Sequence, residues 1–339
     1  MVIQSMTNTK TTDCEATLEQ VNQLAEAGCE LVRLAVPDRE AARAFGVMAR
    51  NSPLPLIADI HFDARLALEA MENGASKIRV NPGNIGGTAR LVELARKAEE
   101  AKIPIRIGVN AGSLEKNIME KHGGPSANAL VESALGYLEA LEAIGFSRVV
   151  VSLKASDVLT TIRAYRLFSE KKPYPLHLGV TGAGPLRTGL VKGAIGIGTL
   201  LAEGIGDTIR VSLTAHPVEE VRAARHILQA LGMNRSEPEL ISCPTCGRCS
   251  VDLVRLVSEA ESLLESCRLP LKVAVMGCAV NGPGEAREAD LGISAGKKHG
   301  IVFSHGKVIR TVALDCLLDA LKEELDRAAA QGGRQEEES

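Results

Sequence analysis

Cys243, Cys246 and Cys249, in the stretch SCPTCGRC, form the densest group of soft metal ligands in the chain. A ferredoxin-type run C-x₂-C-x₂-C-x₃-C-P would place a fourth thiol four residues further on, but that residue is Leu253. Zinc calls for a second short-spaced Cys or His pair, and none follows. A thioredoxin-like disulfide would sit beside the first βα turn of its own domain, and a radical-SAM C-x₃-C-x₂-C loop near the first strand is also missing. Cys267 and Cys316 fall in helical patterns and, with Cys14 and Cys29, read as buried thiols. Cys278 differs. It ends the strand-like LKVAVMG and enters CAVNGPGEAREAD, a Gly/Pro-rich loop that lets backbone approach a ligand and also presents Glu285.

A second constellation is cationic. Arg33 in VRLAV, Arg79 in IRVN, Arg106 in IRIGVN, Lys154 after VVVSL and Arg210 in IRVSL all sit in strand-like segments. Alternation turns each Arg away from its apolar neighbours. One such Arg is unremarkable, since it can snorkel or pair with a carboxylate. Five cations aimed at one place repel each other unless a polyanion binds there, and Arg clamps phosphate oxygens bidentately. A phosphate or diphosphate is the ligand this pattern predicts. Asn81 in NPGNIGG, Asn110 in GVNAGS and Ser212 supply polar partners. Asp59 and His61 in ADIHFD share one face and read equally well as an acid/base pair or a capping pair. No Walker loop accompanies them.

These residues need a scaffold that gathers strand ends. From Val2 to about Leu231 the chain alternates strand-like segments (VIQSM, LVRLAV, LPLIADI, KIRVN, PIRIGVN, SRVVVSL, LHLGVT, DTIRVSL) with amphipathic helical ones. Several of those helices open on an acidic or hydroxyl residue and stop at glycine. Eight βα units predict a (β/α)₈ TIM barrel, with a doubly wound sheet as the alternative; active sites of such barrels lie at the strands' C-terminal ends. The polar stretch GMNRSEPEL reads as a linker, which divides the chain into a barrel over 1–235 and a smaller α+β domain over 236–339. The latter holds the cysteines, a helical pattern from Ser250 to Cys267, and short strands including GIVFSHGKVIR.

The bulk numbers exclude several classes. The 339 residues carry a net charge of -3, no basic tract and no Trp, which disfavours nucleic acid. No apolar run approaches a membrane span. Eight cysteines in a chain of this length, with no signal-peptide pattern, point to metal or catalysis in a cytoplasmic protein rather than to a disulfide framework.

ISCPTCGR together with VMGCAVNGPGEAREADLG resembles the 4-hydroxy-3-methylbut-2-enyl diphosphate synthase family, iron–sulfur enzymes of the non-mevalonate isoprenoid pathway. The likeness extends through QSMTNTKTTD, ADIHFD, RVNPGNIGG, PIRIGVNAGSLE, SLKASD, LHLGVT and GIGDTIRVSLT, covering the chain to about Ile293. It implies a [4Fe–4S] cluster held by Cys243, Cys246, Cys278 and Glu285, with Cys249 outside the ligand set. It implies reductive ring opening and C–O cleavage of 2-C-methyl-D-erythritol 2,4-cyclodiphosphate, with ferredoxin or flavodoxin as electron donor. It also implies a homodimer in which the cluster of one subunit covers the barrel of the other. Carboxylate is a hard partner for thiolate-preferring iron, so Glu285 would be displaced more readily than a cysteine and free that iron for substrate.

The chain departs from the family pattern at Gly182, where a T-E-A-G run usually places glutamate, and at Ala215 and His216, where acidic residues are common. Asp59 or water would then stand in for the missing acid. Two other classes fit parts of the pattern: a zinc-dependent barrel lyase acting on a phosphorylated sugar, and a weakly active or non-catalytic diphosphate-binding relative.

Overall fold

The structure, a computed structural model, describes residues 1–234, 237–264, 267, 269–278 and 286–336, the last six by their backbone. The chain divides into two compact units, Met1–Met233 and Asn234–Ser339.

In the first unit eight strands run parallel: β1 (Val2–Met6), β2 (Leu31–Ala35), β3 (Leu56–Ile60), β4 (Lys77–Val80), β5 (Ile105–Asn110), β6 (Val149–Lys154), β7 (His177–Leu178) and β8 (Thr208–Ile209). Hydrogen-bonded order runs β6-β5-β4-β3-β2-β1-β8-β7. A parallel bridge between Val151 and Leu176 joins the two ends and closes the barrel. Helices follow the strands. Asp13, Asp38, Asp63, Ser126 and Asp157 accept a backbone N–H at the first turns of five of them, satisfying donors that a helix leaves open.

Strand alternation sorts the two faces. Ile78, Val80, Ile105, Ile107, Val149 and Val151 point outward into the core between strands and helices. The opposite face carries Arg33, Asp59, Arg79, Arg106, Lys154 and His177, all buried. Barrel interiors are usually filled by branched apolar side chains, so this one is unusually polar.

The seventh and eighth strands are shorter than the expected LHLGVT and DTIRVSL. Pairing stops where Gly179 is crowded: a Cβ there would lie 2.6 Å from Lys154 Nζ and 2.7 Å from the Arg210 carbonyl oxygen.

The second unit holds a five-stranded sheet. Its strands are β9 (Glu239–Ser242), β10 (Lys272–Met276), β11 (Leu291–Ala295), β12 (Gly300–Ser304) and β13 (Lys307–Val312), in the order β13-β12-β11-β10-β9. The three strands β9, β10 and β11 pair in parallel, and the rest antiparallel. Helices Leu253–Leu264 and Leu317–Glu336 contribute Leu253, Ala260 and Leu321 to a core with Val273, Val275 and Ile293. Glu239 and Leu240, expected in a linker, are part of β9 because they pair with Lys272 and Val273. The β12–β13 hairpin turns at His305 and Gly306, both at positive φ (46° and 74°), as a two-residue turn matched to strand twist requires. No described helix is long and apolar enough to cross a membrane.

The β6–β7 seam depends on a side chain. Tyr165, fully buried, donates its hydroxyl to the His177 carbonyl and accepts from Leu153 N at 3.1 Å. Tyr165→Phe leaves both backbone groups buried without that partner. It is expected to cost about 2–3 kcal/mol, measured by urea unfolding of the full chain; a loss within error of zero would show that the seam closes without it.

Candidate active site and thiol pocket

Strand register assembles the charged interior. Asp59 and Arg79 are neighbours across β3 and β4, Arg79 and Arg106 across β4 and β5, and Met6 and Arg33 across β1 and β2. Lys154 closes β6, and Arg210 follows β8. Arg106 is only the second residue of β5 and so starts well below the strand's C-terminal end, yet its side chain is electrostatically coupled to Arg33, Arg79 and Asp59.

Two carboxylates answer these cations. Asp59 Oδ1 lies 2.9 Å from Arg79 Nη1, and Oδ2 lies 3.5 Å from Arg33 Nε. Burial alone would raise the Asp59 carboxyl, but Arg33, His61 and Arg79 overcome it and hold the group well below the usual carboxylate range. Glu220, buried at the start of the helix after β8, takes Arg210 bidentately at 3.0 Å through each oxygen. Ser5 Oγ and Leu213 N donate to the same carboxylate at 3.0 and 3.1 Å. Arg33 also points two nitrogens at Met6 Sδ, 3.2 and 2.9 Å away, a weak acceptor.

Among the described residues five cations therefore face two carboxylates, an excess of three basic groups. Burial, followed by Arg106 and the other arginines, pulls the Lys154 amine well down. Arg106 is pulled down by burial and then by Arg33 and Arg79. Arg106 Nε and Nη1, Arg79 Nε and His177 Nε2 are buried donors or acceptors with no hydrogen-bond partner among the described residues. Buried polar groups are nearly always satisfied, so this set calls for a ligand rich in acceptor oxygens. Gly108 makes room for the Arg79 guanidinium, since a Cβ there would stand 3.0 Å from Arg79 Nε and Nη2.

The remaining sequence candidates lie around this cluster. His61, 42% exposed, has Nε2 3.0 Å from Arg79 Nη1 and 3.3 Å from Asp59 Oδ2. One ring nitrogen serves only one of these at a time. Asn81 is buried, with its amide donating to Ser113 Oγ at 2.6 Å and accepting from Gly83 N at 3.2 Å, so it fixes the NPGN loop. Asn110, the last residue of β5, and Ser212, three residues beyond β8, are half-buried. Gly182 adopts φ of +60°, a conformation that disfavours side chains with a Cβ.

Sequence reasoning missed Glu220 and His177. Glu220 looked like an ordinary acidic first-turn residue in PVEEV. His177 could have been found by the rule that found the arginines, being a polar residue between apolar ones in LHLGVT. It is fully buried, with Nδ1 2.8 Å from Thr208 Oγ1, and burial followed by Arg106 and Lys154 keeps its ring neutral.

The thiols gather in the second unit because β9 and β10 are parallel neighbours in register, Ser242 opposite Val275. Cys243 leaves the end of β9 and Cys278 follows the end of β10. Gly277 N donates to Cys243 Sγ at 3.4 Å. A pocket of about 190 Å³ is lined by Cys243, Cys246, Cys249, Gly277 and Cys278, with Pro244 and Arg248. Among the described residues no three His, Cys, Asp or Glu side chains converge on a single ion position; the thiols surround a space instead. This soft, all-sulfur donor set fits an iron–sulfur cluster. Glu285 lies outside the described residues. Cys29 is buried and its thiol is pushed up to about 11 by burial, and Cys14 and Cys267 are half-buried. Cys316, expected to be buried, is exposed, because it ends the short turn Leu314–Cys316 instead of lying on the apolar face of the helix that follows.

The family profile described as the GcpE TIM-barrel domain matches residues 1–225, and the GcpE protein C-terminal domain matches 239–327. The chain is 55% identical over 332 residues to a Lawsonia intracellularis protein named 4-hydroxy-3-methylbut-2-en-1-yl diphosphate synthase (flavodoxin), covering 98% of this chain and 92% of the relative. A Caldanaerobacter subterraneus protein of the same name is 54% identical over 327 residues, covering 96% and 92%. Among solved structures, Yersinia pestis dihydropteroate synthase aligns with a TM-score of 0.50 at 15% identity, over 69% of this chain and 93% of that one, a likeness of barrel fold alone.

Because Asp59 sits below its unfolded-state pKa, its stabilisation is complete above about pH 4 and is lost as pH falls through and below that value. Asp59→Asn is therefore expected to flatten the acid limb of the stability profile. At neutral pH it should cost about 3–5 kcal/mol, less when inorganic pyrophosphate is present. Equal losses with and without pyrophosphate in urea unfolding would show that no anion shares the burden of Arg33 and Arg79.

Proposed function

This chain belongs to the GcpE family of 4-hydroxy-3-methylbut-2-en-1-yl diphosphate synthases, and from that membership we propose that its barrel interior holds a cyclic diphosphate while its thiol pocket holds a [4Fe–4S] cluster. The reaction is the reductive opening of 2-C-methyl-D-erythritol 2,4-cyclodiphosphate to (E)-4-hydroxy-3-methylbut-2-enyl diphosphate. The observation that carries the substrate site is the surplus, among the described residues, of three basic groups over carboxylates, with unpartnered nitrogens on Arg79 and Arg106.

Arg33, Arg79, Arg106, Lys154 and Arg210 donate to the diphosphate oxygens. Asp59 and Glu220 keep Arg33, Arg79 and Arg210 in place before the ligand arrives, so little side-chain entropy is lost on binding. Asn81 holds the loop at the rim, and Asn110 and Ser212 reach the substrate from the strand ends. Asp59, held ionised by two arginines, positions the cations and does not donate a proton. With Gly182 in place of the family glutamate, proton delivery falls to His61 and solvent. When bound, the cluster supplies single electrons and a Lewis-acidic iron. Cys243, Cys246, Cys278 and Glu285 hold it, and the N–H of Gly277 directed at Cys243 Sγ stabilises negative charge there.

The two relatives are named for flavodoxin, and the same donor serves this chain in the cytoplasm, where thiols stay reduced.

The deciding experiment is turnover of the cyclic diphosphate by anaerobically purified protein with reduced flavodoxin, alongside iron, zinc and labile-sulfide analysis. Zinc without labile sulfide would favour the barrel lyase, and a cluster without turnover the non-catalytic relative. Lys154→Met removes one buried charge at similar volume. It is expected to make the ligand-free protein more stable while lowering kcat/KM about 10- to 100-fold, as loss of a charge-assisted hydrogen bond does. A destabilised ligand-free variant would contradict the charge surplus.

We further propose a homodimer in which the cluster of one subunit serves the barrel of the other. Mixing Lys154→Met with Cys246→Ser protein is then expected to restore activity through mixed dimers, and no recovery would place both halves of the site in one chain.

A further inference from the structure

Cys249 lies in the same pocket as the three proposed ligand thiols, although the family's ligand set does not include it. Two backbone bonds fix its position. Cys249 N donates to the Cys246 carbonyl at 2.9 Å, and Ser250 N donates to the Gly277 carbonyl at 2.9 Å. The turn that carries Cys249 is thus fastened to both segments that bear ligand thiols. Its sulfur presses against Gly277 so closely that a Cβ there would stand 2.6 Å away. As a thiol it donates to the Val251 carbonyl at 3.2 Å, the polar contact it makes in this arrangement.

Four thiols around one pocket are the ligand set of an all-cysteine [4Fe–4S] site. We propose that Cys249 is a reserve ligand, which takes the fourth iron when the carboxylate leaves it. The exchange is a substitution without change of oxidation state. The iron–carboxylate oxygen bond breaks, the Cys249 S–H loses its proton to the released carboxylate or to water, and an iron–thiolate bond forms. Soft iron prefers the thiolate, and a donor three residues from Cys246 competes as an intramolecular ligand at high effective concentration. The result is a cluster that stays bound when its labile corner is open. This proposal rests on the cluster assignment above.

The test uses the full chain, purified without oxygen, as wild type, Cys249→Ser, Cys249→Ala, Glu285→Ala and Glu285→Ala/Cys249→Ser. Iron and labile sulfide per chain, the EPR spectrum after dithionite reduction, and bleaching of the visible charge-transfer band in air are the readouts. Glu285→Ala is expected to keep most of its iron and sulfide while the double variant loses them severalfold. Both Cys249 variants are expected to load like wild type and bleach severalfold faster. Circular dichroism separates these effects from misfolding, and agreement between the Ser and Ala variants excludes an artefact of either. Equal cluster content in Glu285→Ala and the double variant, or wild-type bleaching in both Cys249 variants, overturns the role of Cys249 alone. Wild type without labile sulfide overturns the cluster assignment and this proposal with it.

Discussion

Like charges buried at close range are the constraint on which the first unit depends. Arg33, Arg79, Arg106, Lys154 and Arg210 are held inside or at the mouth of a barrel where, among the described residues, Asp59 and Glu220 oppose them. Each unpaired buried cation costs several kcal/mol. The folded state tolerates this because the outward faces of the same strands bury Ile, Val and Leu against the helices. The interior is thus destabilised locally and stabilised by its shell, which is the trade expected of a binding site that is built before its ligand arrives.

Several local features follow from that constraint. Glycine at 108 and 179 leaves space where Arg79 and Lys154 pass. The last two strands pair over only two residues each, and the backbone beyond them is given over to the mouth. His177, neutral and fully buried, occupies an interior position where a further cation would deepen the repulsion. Asp59 takes Arg33 and Arg79 from the middle of the sheet and Glu220 takes Arg210 from a helix start, so these three arginines are oriented from two sides.

The second unit solves a different problem with ordinary sheet geometry. Parallel pairing of β9 and β10 puts the residues that follow Ser242 next to those that follow Met276. Thiols far apart in the chain then share one pocket, and the glycine between Met276 and Cys278 leaves room for sulfur on both sides. The same crowding brings in Cys249, which its spacing suggested and the family's ligand pattern leaves out.

What the sequence determined by itself was the period and the chemistry. Alternation in IRVN, IRIGVN and VRLAV was enough to predict strands with an inward Arg, because a two-residue repeat leaves only two faces. The βα count predicted the barrel, and the long ungapped motifs around Cys243 and Cys278 identified the family. Boundaries at β7, β8 and β9 were not legible, since they depend on which backbone partner lies alongside. Nor was the exposure of Cys316, or the role of Glu220, whose V-E-E-V context matches any helix start. Only the tertiary structure decided how the charges balance. Whether a buried Arg meets a carboxylate, a thioether or nothing depends on residues brought together across strands and helices, and no local pattern records those distances.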